Sequence, residues 1–379
     1  MSKRTSIILA IIIIAVIGVI WWLGKEVRIK PQEVKIGMLG PLTGGASKYG
    51  VEVRNGAQLA ISQLNQKQSK YRYTLVALDD QADPSLVEEK AHEIVAREEI
   101  LAVIGSVTTP TTLAAGKIFQ EGRLPAVSPS ATGPAISQLG DFIFRVCPSD
   151  TYQGRALAEY VVQVAGFSKI AIFWDEKNTS YSGELADSFS QRAEQLGASI
   201  VGREAYQEGQ KEFSSSLQTL KTTEPEVLFI PGYYTEAALI AQEIRAMDWD
   251  IPIIGGDGFH APDLIELGGK AVDGVRFTTF FVAESPDPKI QEFVTAYKDR
   301  FGVEPGWVAA HGYDAMQVIA QAIEKEGSSR ETIQKGLTEI KDFSGVTGTI
   351  SFDENGDVVK DILRMEIREG KFQVSGIYQ

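Results

Sequence analysis

A single cysteine, Cys147, stands in a chain of 379 residues, so no intramolecular disulfide can form. That suits a chain exported with almost no thiols, and the lone thiol reads as a buried structural one. Histidine is nearly as scarce: His92, His260 and His311 are far apart and lack the spacing of metal ligands. Basic residues number 37 against 50 acidic ones, a net charge of −13, and no basic stripe follows residue 30. Phosphate backbones need clustered Lys and Arg, so nucleic acid is excluded as a partner. Enzyme signatures are missing as well. There is no G-x-S-x-G elbow, no G-x-x-x-x-G-K-[ST] loop, and no G-x-G-x-x-G after the first strand. No catalytic residue, metal or cofactor is expected. What is present is ordinary globular composition, 44% apolar and 23% charged, with length enough for two full cores.

The N-terminus carries one long apolar run. Lys3 and Arg4 precede Ser6 to Leu23, which has no charge and ends in Trp21-Trp22-Leu23. A basic start followed by such a run means export through a membrane. It reaches the length of about 17–25 residues that spans a bilayer. No small-x-small cleavage site closes it. Residues 1–30 therefore read as a membrane anchor, with a cleaved signal segment as the alternative and the remainder extracytoplasmic in either case.

From Glu33 onward short apolar runs alternate with amphipathic stretches. Val34 to Gly40, Tyr73 to Asp80, Leu101 to Gly105 and Leu124 to Val127 read as strands, with helices over Gly50–Gln66 and Pro84–Glu98. The alternation restarts at Lys169 to Trp174 and runs through Ser199, Val227, Ile251 and Gly274. Continuous apolar strands separated by helices predict parallel, doubly wound sheets. The fold class is thus α/β, two Rossmann-like lobes with a ligand cleft between them. Arg145 to Asp150 is the expected hinge, and Thr347 to Glu369 an expected tail hairpin turning at Asp353-Glu354-Asn355-Gly356-Asp357.

Strand ends of the two units offer complementary chemistry. The first has hydroxyls in Ser106 to Thr112 and in Ser128-Pro129-Ser130-Ala131-Thr132. Thr before Pro reads equally as a helix cap and as the start of an anion site, where free N–H groups and the helix dipole favour a carboxylate. The second unit has Asp257 between glycines. A buried carboxylate there needs a cationic partner, and a ligand ammonium would serve. Tyr49, Tyr181 and Tyr233, each expected in a loop after an apolar strand, could line a side-chain pocket.

Ile36-Gly37-Met38-Leu39-Gly40-Pro41-Leu42-Thr43-Gly44 with Tyr49-Gly50 resembles the opening of the branched-chain amino-acid-binding proteins of ABC importers. So do Asp79 to Pro84, Val103-Ile104-Gly105, Pro129 to Thr132 and Phe352 to Asp357. The resemblance runs from Glu33 to the C-terminus. It implies a type I periplasmic binding protein, with two lobes, three crossings and hinge closure on an amino acid. By analogy the first lobe is 34–149 with 281–346, and the second 150–280 with 347–379. Thr109, Ser130, Ala131 and Thr132 would hold the ligand carboxylate and share its ammonium. Asp257 would pair the ammonium, and Asp150 matches an acid at the first crossing. Tyr49 would cover the side chain, joined by Tyr181 and Tyr233. The expected partners are an amino acid with an apolar side chain and the permease subunits of an ABC transporter, with the protein itself a monomer tethered to the membrane. A sensor ectodomain of the same fold, or an amide- or urea-type ligand, is the alternative.

Overall fold

The computed structural model describes residues 30–358 and 360–378, so the apolar run of the leader lies outside the described residues. Among those described, no helix is long and apolar enough to cross a membrane.

Two sheets organise the chain. The first has five strands: β1 Gln32–Gly40, β2 Tyr71–Asp79, β3 Ile100–Ile104, β4 Ala126–Ser128 and β5 Ile143–Arg145. They lie in the order β2-β1-β3-β4-β5, and every pairing is parallel. The interior β1, between β2 and β3, buries Val34, Ile36, Met38 and Leu39, and its second half, from Ile36 to Gly40, is buried on both faces rather than alternating.

The second sheet has seven strands. Its parallel part comprises β6 Lys169–Asp175, β7 Ser199–Tyr206, β8 Val227–Ile230, β9 Ile253–Gly255 and β10 Arg276–Thr279. The small β11 Phe343–Gly345 and β12 Gly348–Ile350 pair apart. An antiparallel hairpin, β13 Ile362–Arg368 and β14 Lys371–Tyr378, completes the second sheet from the C-terminus, with β13 lying against β10. The full order is β14-β13-β10-β9-β8-β6-β7.

The tail differs from expectation. Its hairpin spans β13 and β14 and turns after Arg368, whereas Asp353 to Asp357 closes only the isolated bridge Phe352–Val358. The reason is tertiary. The Asp353–Asp357 turn is clamped onto β5 by Arg145, a buried guanidinium that donates to both Asp357 carboxylate oxygens at 2.6 and 2.9 Å.

Helix starts follow local chemistry. Asp83 accepts from the N–H groups of Ser85 and Leu86 at the head of helix Pro84–Ala96, and Asp287 does the same for Pro288–Phe301. Helix Ser47–Gln66 packs across helix Trp307–Glu326 at glycines. A Cβ on Gly56 would stand 2.0 Å from the Ala309 carbonyl oxygen, and one on Gly312 2.6 Å from that of Val53. This close crossing seats the late helices against the first sheet. The chain passes between the sheets after β5, after β10, and again between β12 and β13.

Candidate functional site

Between the two sheets lies a cavity lined by Tyr49, Val107, Thr108, Thr109, Ser130, Thr132, Tyr181, Tyr233, Asp257, Gly258 and Trp307. Seven of the nine residues singled out from the sequence are in that lining. Ala131 and Asp150 are not. Ala131 is buried behind it, its carbonyl accepting from the Cys147 thiol at 3.4 Å. Asp150 stands back from the cavity, held by Gln153.

The hydroxyl wall comes from two loops. Thr109 opens helix Thr109–Glu121, and its Oγ1 accepts the Gly133 N–H at 3.1 Å, which leaves its own proton free to donate. Ser130 donates to the Val107 carbonyl at 2.7 Å, so in this conformation its hydroxyl presents lone pairs. Thr132 is buried beside Asp150, where its hydroxyl favours the charged form of that carboxyl. The other hydroxyls of the run are spent elsewhere. Ser106 donates to buried Asp80 at 2.6 Å and meets Thr111 at 2.8 Å, which in turn meets Thr108 at 2.8 Å. Thr108 occupies the cap position but makes no side-chain cap bond.

Arg145 fixes the loop that carries Thr132. Its Nη1 donates to the Thr132 and Gly133 carbonyls, both at 2.9 Å. With Asp357 and Ser137 taking its other nitrogens, the guanidinium is fully used. A buried ion pair of this kind is favourable only when its hydrogen bonds are complete.

The opposite wall is acidic and aromatic. Asp257 opens a short turn after β9 and is buried, its Oδ1 accepting from Gln153 Nε2 at 2.8 Å and Tyr181 Oη at 3.2 Å. The same Gln153 nitrogen donates to Asp150 at 3.1 Å, and Asp150 Oδ2 has no partner among the described residues. Two buried carboxylates therefore share one amide. Burial pushes the Asp257 carboxyl up to about 6, the hydrogen bonds from Gln153 and Tyr181 opposing it. Asp150 is driven upward too, first by burial and then by the charge of Asp257. Among the described residues no lysine or arginine lines the cavity, so the wall is an acceptor in want of a cation.

Of the three tyrosines, Tyr233 is in a loop after an apolar strand as expected, whereas Tyr49 and Tyr181 are helical. Tyr49 is in the first turn of helix Ser47–Gln66, Tyr181 in the π-helical turn Thr179–Gly183, and Tyr233 at the cap of helix Tyr234–Ala246. Tyr181 and Tyr233 stack at 5.2 Å and 10°, and Tyr49 leans on Tyr233 at 6.0 Å. Tyr49 also ties the lobes, its hydroxyl donating to the Gly258 carbonyl at 2.9 Å. Gly133 meets the second lobe directly: a Cβ there would lie 2.6 Å from the Ser180 carbonyl oxygen. The lobes are thus in contact, and the cavity between them has only about 20 Å³ free, room for about one water. Anything larger enters by parting the lobes.

Sequence reasoning passes over Gln153, Gly258 and Trp307. Gln153 follows Asp150 by three residues on helix Asp150–Glu159, a spacing that places both on one face. Gly258 and Trp307 carry no local signal.

The family model described as "Periplasmic binding protein" matches residues 33–371. The Leu/Ile/Val-binding protein BraC3 of Rhizobium johnstonii is 29% identical, over 86% of this chain and 89% of its own. Leu/Ile/Val-binding protein homolog 1 of Brucella abortus is 30% identical, over 86% and 87%. Among solved structures, the leucine-binding protein LivK of Thermotoga maritima is similar at a TM-score of 0.87 and 33% identity, covering 91% of this chain and 99% of that one. The branched-chain amino acid transporter substrate-binding protein LivJ of Streptococcus pneumoniae, solved with isoleucine, has a TM-score of 0.85 and 28% identity, over 92% and 99%.

Proposed function

From the premise that the chain belongs to the periplasmic binding protein family, we propose that it is the extracytoplasmic solute-binding protein of an ABC importer for amino acids with branched apolar side chains. The observation that carries this reading is the polarity of the cavity. One lobe offers Thr109, Thr132 and a helix start, with Ser130 lone pairs beside them that an ammonium can share, and the other the buried Asp257 backed by Tyr181 and Gln153. An α-amino acid presents a carboxylate to the first and an ammonium to the second. Its side chain would face Tyr49, Val107, Tyr233 and Trp307. The relatives named for leucine, isoleucine and valine support the branched-chain class.

The mechanism is binding alone. A ligand that touches both walls stabilises the closed form, selecting one of two hinge states. Its ammonium supplies the positive charge that the buried Asp257 carboxylate lacks. The permease would then recognise the joined lobes. On this reading the run Ser6 to Leu23 anchors the chain, and the protein works as a monomer.

Thermal unfolding against the twenty amino acids, urea and short amides tests the proposal. A ligand at about 100 times its Kd adds roughly 2.7 kcal/mol. A rise with leucine, isoleucine and valine supports the branched-chain reading. A flat response to every amino acid overturns it.

A further inference from the structure

Beside the ligand cavity lies a second chamber of about 400 Å³, and Tyr49, Thr108 and Tyr233 line both. The partition is the ring pair Tyr49 and Tyr233, with centroids 6.0 Å apart. The far wall comes from the second lobe: Lys177, Asn178, Glu208 and Glu236.

That wall is rich in acceptors. Glu236 is buried and takes the Gly209 N–H on Oε1 at 3.0 Å. Glu208 stands at the exposed edge of the wall, its carboxyl held above the usual range by partial desolvation, then by the charges of Glu236 and Asp175. Asp175, just behind, is raised for the same reasons, burial first and Glu236 among the charges. Against these three acids Lys177 is the only lysine or arginine among the described residues of the lining. Asn178 supplies an independent observation. It is only 8% exposed, it lies beside the Tyr233 hydroxyl and favours that group's charged form, and its Oδ1 has no partner among the described residues. A buried amide oxygen without a donor is costly, and here it faces a chamber already short of positive charge.

We propose that this chamber is a distal subsite of the amino-acid cavity, taking the ammonium or guanidinium end of a long side chain. Asn178 and Glu208 receive the donors. The inference rests on the reading of the cavity as an amino-acid site, and widens its range from branched apolar to cationic amino acids. The α-carbon groups bind between Thr109 and Asp257 as before. The aliphatic stem passes between Tyr49 and Tyr233 once the rings part, and the cation reaches the acids beyond. A branched side chain stops short of the partition, so both classes use one set of α-carbon contacts.

The test is isothermal titration of the full-length chain in mild detergent with L-leucine, L-lysine and L-arginine, on the natural protein and on Glu208→Lys and Asn178→Leu. Glu208 is exposed, so reversing its charge leaves folding intact, and leucine serves as the internal control. All three ligands are expected to bind the natural protein. Glu208→Lys should weaken lysine and arginine by about tenfold or more, as for like charges brought together, with leucine within about twofold. Asn178→Leu should show the same selectivity to a smaller extent. Leucine binding without lysine or arginine, or cationic binding untouched by both variants, overturns the subsite and leaves the amino-acid reading standing. Loss of all three ligands from the natural protein overturns that reading itself.

Discussion

Replacing Asp257 with asparagine separates binding from stability, because the same carboxylate serves one and opposes the other. Its pKa is held at about 6 against an ordinary 3.8. That gap of about 2 on the pH scale corresponds to about 3 kcal/mol. The sign follows from linkage. Folded protein keeps a proton that unfolded chain has lost between about pH 4 and 6. The contribution is therefore present below the unfolded value and disappears as pH rises through about 6. An asparagine in its place would keep an oxygen for Gln153 and Tyr181 but carry no charge to bury. Asp257→Asn should therefore raise the ligand-free unfolding free energy at pH 7.5 by about 1–3 kcal/mol, with little change at pH 4.5. Leucine affinity should fall by about 2–5 kcal/mol, as when one member of a buried charge pair is truncated. Denaturant unfolding at the two pH values, with titration calorimetry alongside, reads both effects. A variant that is less stable at pH 7.5 and binds leucine normally would refute the assignment of Asp257 as the ammonium partner.

Three further outcomes follow from the geometry. Gly133→Ala places a methyl 2.3 Å from Thr109 Cγ2 and 2.6 Å from the Ser180 carbonyl oxygen. It should cost about tenfold or more in leucine affinity and abolish the ligand-induced contraction seen by small-angle scattering. Tyr49→Phe removes the 2.9 Å bond to Gly258 that joins the lobes, a loss of about 0.5–1.5 kcal/mol. Stopped-flow should find it in a faster off-rate, with the on-rate unchanged. Arg145→Met strips the buried partner of Asp357 and of the Thr132 and Gly133 carbonyls. Unfolding free energy should drop by about 3–5 kcal/mol, and a drop below about 1 kcal/mol would contradict the clamp.

The strands are legible because parallel sheets leave no alternation to obscure them. Ile36 to Gly40 and Val227 to Ile230 are buried on both faces and read as plain apolar runs. Hydroxyl walls and acid are legible at strand ends for the same topological reason. Legibility fails where local signals meet tertiary ones. Asn355-Gly356 is a strong hairpin turn by itself, yet Arg145 draws it onto β5 and the hairpin forms later, between β13 and β14. The Thr run looks uniform in sequence. In the fold Asp80 claims Ser106, which bonds Thr111, and Thr109 is left with a proton to offer. Tyr49 reads as a loop residue because helix Ser47–Gln66 begins without a side-chain cap to mark its start. Gln153 is within reach of the i,i+3 rule, but a glutamine bridging two acids is visible only once Asp257 is folded beside it, 104 residues away.

The order of elements along the chain also sets a timetable for synthesis. The first sheet is complete in strands by Arg145, but the helix that crosses Ser47–Gln66 is not made until Trp307–Glu326. The second sheet waits longer still, for β13 against β10 at Ile362–Arg368. Neither half can finish its core until almost the whole polypeptide has left the ribosome. Domains that close early from their N-terminal residues fold as they emerge, whereas here the last-made strand is structural. Were the chain to cross a membrane unfolded, as the proposed extracytoplasmic role would allow, that delay would be an asset. The first sheet could not be sealed before its late helices arrived, nor the second before β13 did.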